Sequence, residues 1–361
     1  MAVPLFDTAT PLEPLRERLR ERAAAVLDSG RFVLGPEVEA FEAELADYLG
    51  VRQVVGVANG TDAITIALRA MGVGPGDDVV VPSFTFYASA EAVPAAGARP
   101  VFCDVDPQTF CVTADTVRAA LTPATRAVIT VDLFGNVAPA EEIEALGVAV
   151  LEDAAQAVGS SLQGRRAGAL GGAGTLSFFP SKNLGGFGDG GAIATDDERL
   201  AETARELRFH GSRDKRTHER AGYNSRLDEL QAALLRVLLP HLDTWCAGRR
   251  AAARHYVEAG LGDYVGLPRA VEGADPAWHL YVIRHPLAQR LEPVLNRVGI
   301  GARGYYRTPV HRQPAMRGLG EAGPLPVTDE LAASNLAIPM SPVLSRAHAV
   351  EVVSAIRGAP A

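Results

Sequence analysis

The sequence predicts an α/β fold: a large domain on a mainly parallel sheet, followed by a smaller C-terminal α/β domain. Three observations carry this. From residue 53 to about 151, short apolar runs alternate with helical stretches at strand–helix–strand spacing. The runs are continuously apolar, as strands covered on both faces are. From about residue 262 the pattern changes to a strand-like Trp278-His-Leu-Tyr-Val-Ile-Arg, a helix and a proline-dotted segment.

The N-terminal part opens with an amphipathic helix over 11–29 that ends at Ser29-Gly30, and a second over 36–48 that starts after Gly35-Pro36, where proline suits a first helical turn. An apolar run at 53–58 leads into the turn Asn59-Gly60-Thr61-Asp62 and a helix over 62–71. Runs at 78–82, 100–103, 126–131 and 147–151 then alternate with helices over 86–96, 113–121 and 138–145. Strands at 174–178 and 190–195 flank a glycine-rich loop, and a long helical region covers about 227–258. The tail adds a helix near 287–298, the proline-dotted stretch 305–342 and a closing helix over 345–357. With 361 residues, two domains are expected, 1–245 and 246–361.

Composition narrows the function. A formal net charge of -8 argues against a nucleic-acid binder working through a basic footprint. Cys103, Cys111 and Cys246 fit neither a disulfide framework nor a zinc site, so buried thiols in a reducing, cytoplasmic setting are expected and no metal is. The N-terminus shows no signal-peptide pattern, and no apolar stretch reaches the roughly 18 residues of a membrane span.

Four passages carry chemistry. In Ser177-Phe-Phe-Pro-Ser-Lys182-Asn-Leu-Gly-Gly a lysine follows a strand among aromatics and glycines. Desolvation there lowers the amine's pKa, and a neutral amine can attack an aldehyde; taken alone, such a lysine reads as a surface residue. In Leu151-Glu-Asp153-Ala-Ala-Gln156 an acid stands at a strand's C-terminal end, where crevices of open α/β sheets bind ligands. A carboxylate there can keep a pyridine nitrogen protonated, and Gln156 can reach a ring oxygen; in isolation it is an ordinary cap acid. Asn59-Gly60-Thr61-Asp62 can offer helix N-terminal N–H groups to a phosphate, or be a plain turn. Pro82-Ser-Phe-Thr-Phe86-Tyr87 offers an aromatic that stacks on a ring or fills the core. Gly186-Phe-Gly188-Asp-Gly190-Gly191 formally fits G-x-G-x-x-G, but it leads into a strand rather than a helix, which rules against a dinucleotide fingerprint.

The order of these passages, together with Gly222-Tyr-Asn-Ser-Arg-Leu-Asp-Glu-Leu-Gln-Ala-Ala, resembles the DegT/DnrJ/EryC1/StrS family of sugar aminotransferases over essentially the full length. The resemblance implies the aspartate-aminotransferase-like fold type I and pyridoxal 5'-phosphate as cofactor. It implies that Lys182 carries the cofactor as a Schiff base and that Asp153 pairs with the pyridine nitrogen. Gln156 would contact the ring oxygen, Phe86 would stack on the ring, and Gly60, Thr61 and Ser177 would hold the phosphate. Asn224 would reach the phosphate of a neighbouring subunit, making a homodimer with shared active sites. Tyr305, Tyr306 and His311 match the segment that lines the nucleotide sugar.

The implied reaction moves an amino group from L-glutamate to a nucleotide-linked, expectedly dTDP-linked, 4-keto-6-deoxyhexose or 4-ketopentose in deoxyaminosugar and antibiotic biosynthesis. A 3-keto sugar aminated at C3 is the alternative. Another fold type I enzyme, such as a lyase or cyclitol aminotransferase, and a non-enzymatic regulatory protein that binds the same cofactor are the rivals. Relatives that dehydrate their substrate have histidine in place of the lysine, so Lys182 favours transamination. Two departures stand out: Asp132 occupies a strand end where the family commonly has histidine, and Asn136 stands where glutamine is frequent.

Overall fold

The computed structural model describes residues 2–359. Thirteen strands are assigned among them, in chain order β1 Gln53–Val57, β2 Asp78–Pro82, β3 Arg99–Cys103, β4 Thr125–Val131, β5 Ala149–Asp153, β6 Ser161–Leu162, β7 Arg165–Arg166, β8 Ala173–Ser177, β9 Gly191–Thr195, β10 Ala274–Asp275, β11 Tyr281–Arg284, β12 Glu321–Ala322 and β13 Asn335–Ile338. Eight form one sheet in the order β1-β9-β8-β5-β4-β2-β3-β12. Within it β9 alone runs antiparallel to its neighbours. The C-terminal ends of β1, β2, β4, β5 and β8 therefore all emerge on one edge, and every cofactor residue expected on a strand end is delivered to that edge.

The helices are α1 Arg16–Ser29, α2 Pro36–Leu49, α3 Gly60–Ala70, α4 Tyr87–Ala95, α5 Ala114–Arg118, α6 Ala140–Glu144, α7 Glu198–Leu207, α8 Glu229–Leu238, α9 Leu242–Glu258, α10 Ala288–Arg297, α11 Pro326–Ser334 and α12 Arg346–Arg357. Pro11 and Pro14 tighten the start of the first expected helix into a 3-10 turn, Thr10–Leu15. Pro240 splits the long region after 227 into α8 and α9 through a second 3-10 turn, Leu239–His241. Helix α7 is not among the expected elements, although Asp197 caps it by accepting from the Arg199 and Leu200 N–H groups. Within the proline-dotted stretch lie α11 and β13, and β13 pairs antiparallel with β11.

The apolar residues form two clusters. One packs around the large sheet and includes Phe41, Phe84, Phe134 and Phe178. The other joins Val3 to Tyr256, Tyr281, Leu295, Ile338 and Val352. Helix α9 passes from one to the other, with Leu242 and Cys246 in the first and Ala252 and Tyr256 in the second. The expected division at residue 245 falls inside this helix. All three cysteines are buried and unbridged. No helix among the described residues is long and apolar enough to cross a membrane.

A buried carboxylate ties the N-terminal helices to the body. Glu229, 1% exposed, accepts from the N–H groups of Gly35 (2.8 Å), Glu37 (3.0 Å) and Val38 (3.0 Å) at the start of α2. A negative charge satisfies donors that the helix itself cannot pair and complements its dipole. Glu229→Ala leaves those donors without a partner. It should lower the urea unfolding free energy by about 2–4 kcal/mol, and Glu229→Gln, which keeps one acceptor oxygen, should lose roughly half as much.

Candidate active site

Above the strand ends lies a cavity of about 1300 Å3. Its wall includes Asn59, Gly60, Thr61, Phe86, Asp153, Gln156, Ser177, Lys182, Tyr305 and Tyr306. Of the residues expected at the site, only Asn224 and His311 stand outside it.

The floor is built by strand register. Asp153, the last residue of β5, sits beside Val131 of β4 and Thr175 of β8. Its carboxylate accepts from the Ser89 hydroxyl at 2.7 Å and from the Ala155 N–H at 3.2 Å. Burial raises its pKa, opposed by Ser89, Ala155 and the nearby charge of Lys182. Lys182 follows β8 in a turn closed by its own N–H donating to the Phe179 carbonyl at 2.8 Å. Burial lowers its pKa to about 8, against the attraction of Asp153. At that pH half the amine is free, about a hundredfold more than for an ordinary lysine.

One wall is the N-terminus of α3. The Asn59 side chain accepts from the Asp62 N–H at 2.8 Å, leaving the Gly60 and Thr61 N–H groups in the first turn without helical partners. Two glycines let this turn lie flat on the sheet. A Cβ on Gly60 would come within 2.9 Å of the Ser177 Cβ, and one on Gly191 within 2.4 Å of the Asn59 carbonyl oxygen. Ser177 pairs with Gly191 across β8 and β9, and Gly191 with Val57 of β1, so the turn, the serine and the glycine are held as one unit.

The opposite wall comes from 303–313. Tyr306 packs against Phe134 and Phe86, with ring centroids 6.3 and 6.1 Å apart respectively. Its hydroxyl accepts from Gln156 Nε2 at 3.1 Å, and Gln156 Oε1 accepts from the Phe134 N–H at 2.9 Å. Burial raises the Tyr306 pKa strongly, keeping the phenol neutral. Tyr305 carries Arg303 over its ring, 5.2 Å from guanidinium carbon to centroid. Arg303, Arg307, Thr308 and Gln313 also line the cavity. None of these four was singled out from sequence, nor was Ser89; each is a common polar type whose role depends on which wall the chain places it in. His311 lies behind the wall, its Nδ1 2.6 Å from the Ser83 hydroxyl.

Asn224 is exposed, and its side-chain oxygen accepts from Arg226. Asn136 has a structural task. Its amide donates to the Thr109 and Arg269 carbonyls at 3.0 and 2.8 Å, and its oxygen accepts from the Val271 N–H at 3.1 Å, so it pins two loops together.

This donor set fits pyridoxal phosphate. Free N–H groups and a hydroxyl suit the phosphate, a buried carboxylate suits a protonated ring nitrogen, and a partly neutral amine suits an aldehyde. Fold and site together define a fold type I, pyridoxal-phosphate-dependent aminotransferase. The chain belongs to the DegT/DnrJ/EryC1/StrS aminotransferase family, whose model matches residues 14–357.

Among relatives, the chain is 46% identical to the dTDP-3-amino-3,4,6-trideoxy-alpha-D-glucose transaminase of Streptomyces venezuelae, over 98% of this chain and 95% of that one. It is 44% identical to a protein of Geobacillus stearothermophilus named pleiotropic regulatory protein, over 99% and 98%. The crystal structure of S. venezuelae DesV in complex with a ketimine intermediate superposes with a TM-score of 0.94 at 44% identity, covering 99% of this chain and 98% of that one.

The pairing of Lys182 with Asp153 has a sign that can be measured. Asp153 holds the lysine pKa up, so Asp153→Asn should lower it below about 8. In cofactor-free protein the labelling rate of Lys182 by an amine-directed reagent, followed by mass spectrometry across pH, should rise at lower pH in the variant than in the wild type.

Proposed function

We propose that the enzyme transfers an amino group from L-glutamate to C3 of a dTDP-linked 3-keto deoxyhexose. The observation that carries the reading is Lys182 and the buried carboxylate of Asp153 brought together on the floor of a cavity of about 1300 Å3. That volume exceeds the roughly 300–1000 Å3 of an ordinary small-molecule pocket, leaving room for an extended substrate beside the cofactor. Sequence alone ranks a 4-keto sugar first. The name of the S. venezuelae relative, which places the amino group at C3 of a dTDP sugar, favours the 3-keto alternative.

When bound, pyridoxal phosphate supplies a carbonyl carbon that amines attack and a conjugated ring that takes up the electron pair released at the neighbouring carbon. The chain's residues do the rest. Gly60, Thr61 and Ser177 hold the phosphate through N–H and hydroxyl donors. Asp153, fixed by Ser89 and the Ala155 N–H, keeps the ring nitrogen protonated. Phe86 would cover one face of the ring, and Gln156 would contact the ring oxygen. Lys182 Nζ would hold the cofactor and, when free as a neutral amine, would serve as the base that moves the proton at the substrate carbon bearing nitrogen. Tyr305 and Tyr306 bound the sugar, and His311 supports that wall through Ser83. Asn224, exposed and away from its own cavity, serves the site of a second copy in a homodimer.

The relative named as a regulatory protein keeps a second reading in view, a cofactor-binding protein without turnover. The complete lysine–carboxylate pair favours chemistry. Incubation with glutamate and a panel of 3-keto and 4-keto nucleotide sugars separates the readings: 2-oxoglutarate release with an amine at C3 by NMR is expected, an amine at C4 would move the assignment, and no release with any sugar would favour the regulatory reading.

Lys182→Ala should lose the cofactor's lysine-bound absorbance band and at least about a thousandfold in turnover. Mixed with Asn224→Ala, which should retain the cofactor poorly, it should regain activity above either variant alone; a mixture no better than its parts argues against shared sites.

A further inference from the structure

Behind the cofactor floor lies a group of polar side chains that the proposed chemistry does not use. Thr130 and Glu152 are register partners on β4 and β5, and Asp132 follows two residues after Thr130, so the three lie on one face of the sheet. Val131 and Asp153 alternate with them and line the cavity on the other face. Thr130, Asp132 and Glu152 are all 0% exposed.

The hydrogen-bond inventory of this group is incomplete as two carboxylates. Glu152 is gripped on both oxygens, by the Gly168 N–H at 2.6 Å and the Leu170 N–H at 2.8 Å. Asp132 Oδ1 accepts from the Ala138 N–H at 2.8 Å. Asp132 Oδ2 is buried and has no hydrogen-bond donor among the described residues. Register sets the two carboxyl groups on the same buried face, where two negative charges without a shared proton would repel and neither could donate to the other. A proton on Asp132 Oδ2 resolves both difficulties at once: it satisfies the orphaned oxygen and supplies the donor to Glu152.

We propose that Asp132 and Glu152 form a carboxylic acid–carboxylate pair that shares one proton, carried by Asp132, and that this pair locks the ends of β4 and β5 behind Asp153. The residue is a positioning residue. Its own N–H donates to the Asp153 carbonyl at 3.0 Å, so the strand end that presents Asp153 is held by the same residue that holds the proton. Aspartate can donate to a neighbouring carboxylate only when protonated.

Most of the groups facing Asp132 act in one direction. Burial, the Glu152 carboxylate and the Asp153 charge raise its pKa well above the ordinary value, with only the Ala138 N–H opposing. Cys111, from the loop after β3, is buried against it, and its own thiol is pushed up by burial and by Asp132. Thr130 Oγ1, unpartnered on the same face, completes the surroundings.

A proton bound in the folded state and lost in the unfolded one makes stability fall as pH rises. The contribution is full below the unfolded aspartate value near 4 and disappears as pH rises through the folded value. Asp132→Asn keeps the shape, donates an N–H to Glu152 and cannot ionise. The test is chemical denaturation of cofactor-free wild type and Asp132→Asn across about pH 5–9. The ratio of their folding constants, wild type over variant, should fall about tenfold per pH unit until the pair's own pKa is reached. A ratio constant with pH overturns the proposal, because a merely structural role gives a fixed offset. Infrared spectroscopy of wild-type holoenzyme at neutral pH needs no variant: the carbonyl band of a buried protonated carboxyl is expected, and its absence also overturns the pair.

Discussion

The negative charge of Asp153 must be kept in a place that burial makes unfavourable for it, and most of the site is arranged around that cost. A carboxylate removed from water is retained only with donors or an opposite charge close by. The chain supplies the Ser89 hydroxyl from α4, a backbone N–H from its own turn and the Lys182 amine from the loop after β8. These come from three separated stretches of sequence. Their convergence depends on the sheet order that sets β5 beside β8 and on parallel strands ending at one edge. The same juxtaposition desolvates the lysine, so one arrangement sets the protonation of both groups.

Around this pair the phosphate turn and the aromatic wall are built by different means. The turn is rigid because backbone touches backbone: Gly191 leaves no room for a side chain against Asn59, and Gly60 none against Ser177. The aromatic wall depends on side chains, with Tyr306 stacked near Phe134 and hydrogen-bonded through Gln156 to the same segment. Gln156 therefore joins the cofactor floor to the segment that closes over it. The volume left between them decides what size of second ligand can enter.

Much of this was legible in the sequence. The apolar runs at 78–82, 100–103 and 126–131 correspond to β2, β3 and β4 within a residue, because strands buried on both faces admit little polar content. Asp153 and Lys182 each read as ordinary residues alone and were singled out by the order of the motifs along the chain; the structure brings both to one cavity. What escaped was whatever depends on a distant partner. Ser89 is an ordinary helical serine until Asp153 arrives beside it. Arg303 and Gln313 gain meaning only from the wall they join. Helix α7 had its cap and its apolar spacing in plain view at 197–207. Helix α11 and β13 were obscured by prolines that punctuate the stretch without preventing short elements, since Pro326 stands at a helix start.

The hydrogen bond from Gln156 to Tyr306 has a bearing on redesign. A residue that touches the aromatic wall and the floor of the cavity at once cannot be exchanged to alter one without disturbing the other. Arg303, Arg307 and Gln313 line the same cavity without that tether to Gln156. An effort to reshape the cavity has its more separable positions there, while Tyr306 and its glutamine act as the fixed frame against which any new wall is fitted.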